Sequence, residues 1–148
     1  MYRKAKLTDS LAVYELICDL EGVMLSYEKF YDILNEQLQD RQHYYFLVCQ
    51  EEDRIIGLLN LRFERQLHHA GPVAEITEFY VSPDKRGQGI GRELFEKGLA
   101  LAREFGCRQL EADCNQSRRD AHGFYEKRGM KNTHYKFTMP LTAAGETD

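Results

Sequence analysis

The sequence lacks any long hydrophobic run. No apolar stretch among its 148 residues approaches the roughly 18–20 residues that a helix needs to cross a membrane. The first ten residues, MYRKAKLTDS, contain no apolar segment of the kind that secretory signals carry. These absences predict a cytoplasmic protein without a membrane-spanning segment.

Paired cysteines and an excess of positive charge are also missing. No Cys-x-x-Cys pair occurs, so buried free thiols are a better interpretation of the cysteines than disulfides or a zinc site. The formal net charge is −4, which argues against a nucleic-acid-binding surface. The length predicts a single domain over residues 1–148, and the polar segment 142–148 is expected to be a frayed tail.

Hydrophobic periodicity predicts strands that alternate with helices. Helical spacing begins near Asp9, Ser26, Ile90 and Ser117. The turn EEDR joins two of the predicted strands, which are expected to pair as a hairpin. Because strands bracket helices, the predicted class is α/β with a mixed sheet. The predicted strands cover residues 44–50, 55–65, 74–81, 108–115 and 133–141.

Three glycines lie within RGQGIG, where a predicted strand is followed at once by a helix: Gly87, Gly89 and Gly91. The N-terminus of a helix carries unpaired N–H groups and a partial positive charge, and a glycine-rich turn lets a phosphate approach them. The spacing does not fit the dinucleotide pattern G-x-G-x-x-G, because Arg92 stands at the position of the last glycine. A pyrophosphate site is therefore the functional interpretation, and an ordinary glycine-rich turn is the alternative.

The same region resembles the GNAT acetyltransferases. Residues 86–91 match their R-x-x-G-x-G signature, the preceding strand ends FYVSP, and AHGFYEKRGM at 121–130 is similar to a characteristic helix of the family. The resemblance implies the GNAT fold, a mixed central β-sheet with splayed parallel strands, here 74–82 and 108–115, flanked by about four helices. It also implies acetyl-CoA as co-substrate and direct transfer of the acetyl group to an amine.

The resemblance assigns cofactor contacts to three segments. The backbone of Phe79, Tyr80 and Val81 would hold the pantetheine arm, and an N–H group there would meet the developing oxyanion. Asn115, at the end of the next strand, would contact the same arm. The pyrophosphate would bind to the amides of Arg86, Gly87, Gln88, Gly89, Ile90, Gly91 and Arg92.

Two residues are candidates for proton transfer. Tyr125, at the family's tyrosine position, is the candidate general acid and a further cofactor contact, and a packing aromatic is the alternative. Glu78 is the candidate base, which would take a proton from the incoming ammonium directly or through water. Glu75 is its rival: residues three apart on a regular strand point to opposite faces, and a bulge would change that parity. A mechanism without a protein base also stays open.

A closer resemblance concerns the acceptor. LHHAGPVAEITEFYV, RRDAHGFYEKRGM and THYKFT are similar to segments of bacterial aminoalkylphosphonate N-acetyltransferases. This similarity implies a small acceptor with a primary amine and a phosphonate, and it raises assistance by a divalent metal, with His68, His69 and Glu78 as candidate ligands. An anionic acceptor needs fixed positive charge beside it. The candidates for binding the acceptor are Arg62, His69, Arg118 and Arg119.

Two other functions stay open. One is acetylation of a different amine, such as a polyamine, an aminoglycoside or a protein N-terminus. The other is a non-catalytic acyl-CoA-binding module, which the presence of both Glu78 and Tyr125 disfavours. Family members are often dimers, so the resemblance is compatible with a homodimer.

Overall fold

The computed structural model describes residues 1–142, so the predicted tail lies outside the described residues apart from its first position. The chain divides into two compact units, Met1–Glu111 and a second one that begins at Ala112. The strands are β1 (Tyr2–Lys4), β2 (Tyr44–Glu51), β3 (Arg54–Gln66), β4 (Gly71–Val81) and β5 (Leu110–Ala112). The helices are α1 (Ser10–Glu21), α2 (Tyr27–Gln39), α3 (Ile90–Glu104) and α4 (Arg119–Lys127).

The five strands form one sheet in chain order. The first four strands are antiparallel to their neighbours, which confirms the predicted hairpin between β2 and β3. Next to β4, the Arg108 N–H donates to the Pro72 carbonyl at 2.8 Å and the Ala74 N–H donates to the Gln109 carbonyl at 3.0 Å. Residue numbers therefore increase in the same direction on both strands, and the sheet is mixed as predicted. The strand predicted at 108–115 is shorter than expected, since β5 has only three residues.

Helices α1 and α2 cover one face of this sheet. Their side chains Val13 and Leu34 are buried in one cluster with Phe46, Val48 and Leu58 from β2 and β3. Alternate residues of a strand point to the same face. Leu58 and every second residue of β3 counted from it therefore face α1 and α2. The start of α2 is the predicted one, because Ser26 accepts a hydrogen bond from the N–H of Lys29.

Helix α3 covers the opposite face. Leu94 and Phe95 are buried, and Gly98 packs so closely on β3 that a Cβ atom there would lie 3.0 Å from Leu59 Cδ2. Leu59 follows Leu58 directly, and consecutive strand residues point to opposite faces. The helix that follows the glycine-rich segment is thus fixed to the sheet along its buried side.

The second unit contains α4 but not the strand predicted at 133–141. The apolar residues that alternate in this segment are exposed, with Phe137 at 92% and Leu141 at 93% of their full accessibility. A strand exists only when its N–H and C=O groups pair with a neighbour, and within residues 1–142 the segment 133–141 is assigned to no strand. Alternation shows which side chains would share a face, but it cannot show that a partner is present.

None of the helices within residues 1–142 combines the length and the apolar character that a bilayer crossing demands.

The ion pair between Arg3 and Asp9 gives a test of this fold. Arg3 Nη1 and Nη2 donate to the two Asp9 carboxylate oxygens at 2.7 and 2.9 Å, and the Lys6 N–H donates to Asp9 at 2.8 Å. The hydrogen bonds from Arg3 lower the pKa of Asp9, although burial opposes this effect. We expect Asp9→Asn to reduce the free energy of unfolding by about 1–3 kcal/mol at pH 7.

The expected pH dependence follows from the sign of that pKa change. Because the folded-state pKa of Asp9 lies below the unfolded value near 3.9, the stabilisation is complete above about pH 4 and is lost as the pH falls through the folded-state pKa. Urea unfolding of both proteins at several pH values measures this. A difference in unfolding free energy that stays constant down to low pH would contradict the role of the Asp9 charge.

Candidate active site

A β-bulge interrupts the pairing of β3 with β4. Asn60 lies opposite Glu78 and Leu61 lies opposite Ile76, so Thr77 is an extra residue without an opposing partner. Arg62 lies opposite Glu75. Since Asn60 and Arg62 are two residues apart on β3, both side chains point to one face, and Glu75 and Glu78 point there with them. The bulge, whose presence the sequence did not decide, is therefore present. It places Glu75 and Glu78 on the same face, whereas a regular strand would place them on opposite faces.

This face is the one that α1 and α2 cover, because Asn60 also lies opposite Phe46 of the buried cluster. Asn60 is 1% exposed. Its Nδ2 donates to Glu78 Oε1 at 2.9 Å and to Gln37 Oε1 of α2 at 3.0 Å. Thr77 Oγ1 also donates to Glu78 Oε1, at 3.0 Å. Two donors therefore hold one carboxylate oxygen of Glu78 in place. Within residues 1–142, Asn60 Oδ1 is buried without a hydrogen-bond partner.

Arg62 forms the second polar group of this face. Its Nη2 lies 3.2 Å from Glu75 Oε1 and 3.6 Å from Glu64 Oε2. The Nε atom is buried and has no hydrogen-bond partner among the described residues. Arg62, Glu64, Glu75 and Glu78 form what we call the β3–β4 row. It contains three carboxylates and one guanidinium, so its net charge is negative when all four groups are ionised.

The glycine-rich segment begins at a turn that ion pairs fix to the sheet. Arg54 donates to both carboxylate oxygens of Asp84 at 2.7 Å and to Ser82 Oγ at 2.7 Å. Lys85 Nζ lies 2.5 Å from Glu51 Oε1. The hydrogen bonds from Arg54 lower the pKa of Asp84 well below its usual range. The turn Pro83–Lys85 is thus joined to the residues that connect β2 and β3.

Two of the three glycines have a backbone conformation that favours glycine. Gly87 and Gly89 have φ values of +79° and +86°, in a region that other residues rarely adopt. The first N–H groups of any helix have no intrahelical acceptor. Gly89, which precedes α3, has no side chain that could accept hydrogen bonds from them. Gly91 and Arg92 lie in the first turn of α3. The segment can therefore present several amides to an anion.

Arg86 connects this segment to the end of β4. Its Nε donates to the Val81 carbonyl at 3.1 Å, and its guanidinium carbon lies 5.0 Å from the centroid of the Tyr80 ring. The Tyr80 hydroxyl donates to Asp19 of α1. Burial, together with the hydrogen bond to Asp19, raises the pKa of Tyr80. The positive charge beside the glycines is therefore held by a chain of contacts that reaches α1.

The second unit carries the other predicted residues. Asn115 Oδ1 accepts hydrogen bonds from the Ser117 N–H at 2.9 Å and the Ser117 hydroxyl at 2.8 Å, and its carbonyl accepts from the Arg118 N–H at 2.9 Å. These bonds form the turn before α4, which begins at Arg119. Burial raises the pKa of Tyr125 to about 12, with a contribution from Cys114, while Arg118 opposes the rise.

The histidines do not join this site. His68 and His69 lie in the turn Leu67–His69 that closes the β3–β4 hairpin, and His69 Nδ1 is 2.7 Å from Gln66 Oε1. Glu78 is seven residues along β4 from the end of that hairpin, roughly 20 Å away at the usual rise per residue. The three candidate metal ligands are therefore not brought together, and no cluster suited to a metal ion occurs in the described part of the chain. His69 is also too distant to share an acceptor with Glu78.

Sequence reasoning missed Asn60, Gln37 and Thr77. A signal for Asn60 was present, since it is the first polar residue in the buried run IIGLLN of β3, and a buried amide needs partners. Nothing in the sequence pairs it with Gln37, which lies 23 positions earlier. The bulge at Thr77 depends on the register between two strands, and register is a property of pairing.

The comparisons with known proteins agree with this geometry. The profile of the acetyltransferase (GNAT) family matches residues 11–130. The chain is 37% identical over 139 residues to an aminoalkylphosphonate N-acetyltransferase of Salmonella typhimurium, covering 94% of this chain and 90% of that protein. It is 29% identical over 113 residues to an aminoglycoside N(6')-acetyltransferase type 1 of Stenotrophomonas maltophilia, covering 73% and 74%.

A solved structure shows the same fold. AAC(6')-Iy, in complex with the bisubstrate analogue CoA-S-monomethyl-acetylneamine, superposes with a TM-score of 0.83 at 16% identity and covers 97% of this chain and 98% of its own. The fold and the family match make the chain an enzyme that transfers acetyl groups to amines. The bulged strand, the glycine-rich segment before α3 and the matched profile together establish that the chain belongs to the GNAT acetyltransferase family.

Proposed function

We propose that the enzyme transfers the acetyl group of acetyl-CoA to the primary amine of a small aminoalkylphosphonate. The observation that carries the proposal is the bulge at Thr77, which places Glu78 and Arg62 on one face of the sheet. Asn60, opposite Glu78, and Arg62 are two residues apart, or about 6.5 Å along the strand. This separation matches a short aminoalkyl chain with its amine at Glu78 and its anionic head at Arg62.

The cofactor would bind along the end of β4 and the start of α3. The positive φ values of Gly87 and Gly89 and the uncapped amides of α3 support pyrophosphate binding by residues 86–92. The backbone of Phe79–Val81 would hold the pantetheine arm, as the family resemblance implies, and Asn115 would contact it. Arg86 adds positive charge next to this segment.

Glu78 would act as the base. The acceptor arrives mostly as an ammonium ion, so one proton must leave before nitrogen attacks the thioester carbonyl. Glu78 immediately precedes the segment Phe79–Val81, whereas Glu75 lies three residues further away and faces Arg62. Asn60 and Thr77 hold Glu78 Oε1, so the carboxylate is oriented before the acceptor arrives.

Tyr125 would donate a hydrogen bond to the leaving thiolate. Its pKa of about 12 keeps the phenol protonated at neutral pH. A free thiol has a pKa near 8.5, below that of Tyr125, so complete proton transfer to the thiolate would be unfavourable. Stabilisation of the developing negative charge is therefore the larger contribution that Tyr125 can make.

A cationic acceptor is the second candidate. Glu64 and Glu75 both lie beside Arg62, and with Glu78 they make the row net negative. Such a row attracts an acceptor that carries a second positive charge, as a diamine or an aminoglycoside does. One relative is named for aminoglycosides, which agrees with this alternative.

Several predictions from the sequence stay predictions. Arg118 and Arg119 are further candidates for the phosphonate. A homodimer is proposed on the family resemblance, and a cytoplasmic location stays an expectation from the sequence. A divalent metal is not part of the proposal, because the candidate ligands lie apart in the described structure.

The pyrophosphate site is tested by Gly89→Val. A β-branched residue at a φ of +86° is strained, and its side chain would crowd the amides at the start of α3. We expect the Kd for acetyl-CoA, measured by calorimetry, to rise at least tenfold. Gly106→Val is the matched control, because Gly106 also has a positive φ of +80° but lies at the other end of α3. Equal affinities for wild type and Gly89→Val would contradict the placement.

The role of Tyr125 is tested by Tyr125→Phe, which keeps the ring and removes the donor. We expect kcat to fall by roughly 10- to 100-fold, at or below the low end for general acids, since a hydrogen bond is lost rather than a full proton transfer. The Kd for acetyl-CoA should change little. Because the pKa of Tyr125 is about 12, the wild-type kcat should show no decrease from its ionisation up to pH 10. An unchanged kcat in Tyr125→Phe would remove Tyr125 from the mechanism.

The acceptor is tested by comparing kcat/KM for 2-aminoethylphosphonate, propylamine and spermidine under one set of conditions. An anionic head held by Arg62 would anchor the amine beside the thioester, so the phosphonate should be the best substrate. Arg62→Gln should raise KM for the phosphonate more than for propylamine. A clear preference for spermidine would instead support the cationic acceptor and would contradict the phosphonate proposal.

A further inference from the structure

Arg62 and Glu75 form a pair of opposite charges in line with the candidate base. We propose that Glu75 is a specificity-determining residue, which competes with the acceptor for Arg62 and thereby sets the charge that the far end of the acceptor must carry. The proposal rests on the proposed function, since it assumes that the amine lies at Glu78. It assigns to Glu75 a role other than proton transfer.

The geometry separates Glu75 from the other carboxylate beside Arg62. Glu75 lies directly opposite Arg62 in the ladder, and its Oε1 is 3.2 Å from Nη2. Glu64 is more distant, at 3.6 Å, and its side chain is 55% exposed, whereas that of Glu75 is 24% exposed. Solvent screens Glu64 more strongly, so Glu75 is the main counter-ion of Arg62.

The pair of Arg62 and Glu75 can bind an acceptor group of either charge. Arg62 has donors to spare, since its buried Nε has no hydrogen-bond partner in the described part of the chain, and a guanidinium offers five N–H groups. An anionic head group that binds to its Nη atoms must compete with Glu75, which already pairs with Nη2. A cationic group would instead bind to Glu75 in competition with Arg62. Removing one member of the pair therefore favours acceptors that carry the charge of the removed member.

The position of the pair explains why it would act on the far end of the acceptor. Arg62 is two residues beyond Asn60 on β3, or about 6.5 Å from the level of Glu78. The nitrogen that attacks must be near Glu78 and the segment Phe79–Val81. A group at Arg62 and Glu75 is therefore beyond the reacting atoms, where it affects binding and orientation rather than proton transfer.

The experiment measures kcat/KM for three acceptors of similar length: 2-aminoethylphosphonate, 1,3-diaminopropane and propylamine. Glu75→Gln keeps the size of the side chain and removes its charge. We expect it to raise the ratio of phosphonate to propylamine about three- to tenfold and to lower the ratio of diamine to propylamine by a similar factor. Arg62→Gln should change both ratios in the opposite direction.

Two control variants test whether the changes in the kcat/KM ratios are specific to Glu75 and its contact with Arg62. Glu64→Gln removes the more exposed carboxylate and should change the ratios by less than half as much, on a logarithmic scale, as Glu75→Gln. The double variant Glu75→Gln with Arg62→Gln should show effects that are not additive, as expected for residues in contact. Thermal unfolding shows whether each variant is folded. A general structural effect would also change kcat/KM for propylamine, so it would leave the ratios to propylamine unaltered.

Each outcome has a distinct meaning. Unchanged ratios in Glu75→Gln overturn the specificity role, and so does a fall in kcat of a hundredfold or more with all three acceptors, which would make Glu75 the base. If wild type prefers the diamine but Glu75→Gln still moves the ratios as stated, the phosphonate proposal fails and the role of Glu75 is supported. If wild type prefers the phosphonate and the ratios do not move, only the role of Glu75 fails.

Discussion

The extra residue in β4 is the constraint on which the site depends. In a regular ladder, Glu75 and Glu78 would point to opposite faces, and one of them would lie under α3. The bulge at Thr77 places both carboxylates on the face that α1 and α2 cover. There Glu75 pairs across the strands with Arg62, and Glu78 pairs with Asn60. Thr77 is also part of the arrangement, because its hydroxyl donates to Glu78 Oε1 and lies within hydrogen-bonding distance of the Asn60 carbonyl. One inserted residue thus decides which polar groups can act on the same molecule.

The proposed pyrophosphate site depends on a different kind of support. Its glycines provide a backbone without side chains, but they do not hold the segment in position. That is done by the ion pairs of Asp84 with Arg54 and of Lys85 with Glu51, and by the packing of α3 through Gly98 onto β3. Preorganised amides stabilise an anion more effectively than amides that must first be ordered.

The two sites have opposite electrostatic character. The glycine-rich segment combines Arg86, Arg92 and the positive end of a helix, whereas the β3–β4 row carries three carboxylates and Arg62. The first suits the phosphates of acetyl-CoA. In the proposed reaction, the second would bind an ammonium ion at Glu78, and the contact between Arg62 and Glu75 would be where the sign of any further charge on the acceptor matters.

Features that depend on neighbouring residues were predictable from the sequence. The helix start at Ser26, the helix that follows Gly89, the β2–β3 hairpin and the family signature are patterns within short segments, and the periodicity of a helix or strand is local. Features that depend on pairing between distant segments were not. The bulge at Thr77, the bond from Asn60 to Gln37, the separation of His68 and His69 from Glu78 and the absence of a strand at 133–141 all required the tertiary structure. The physical reason is that register, burial and the presence of a partner strand are set by contacts between residues far apart in the chain, and a one-residue change in register alters which side chains share a face.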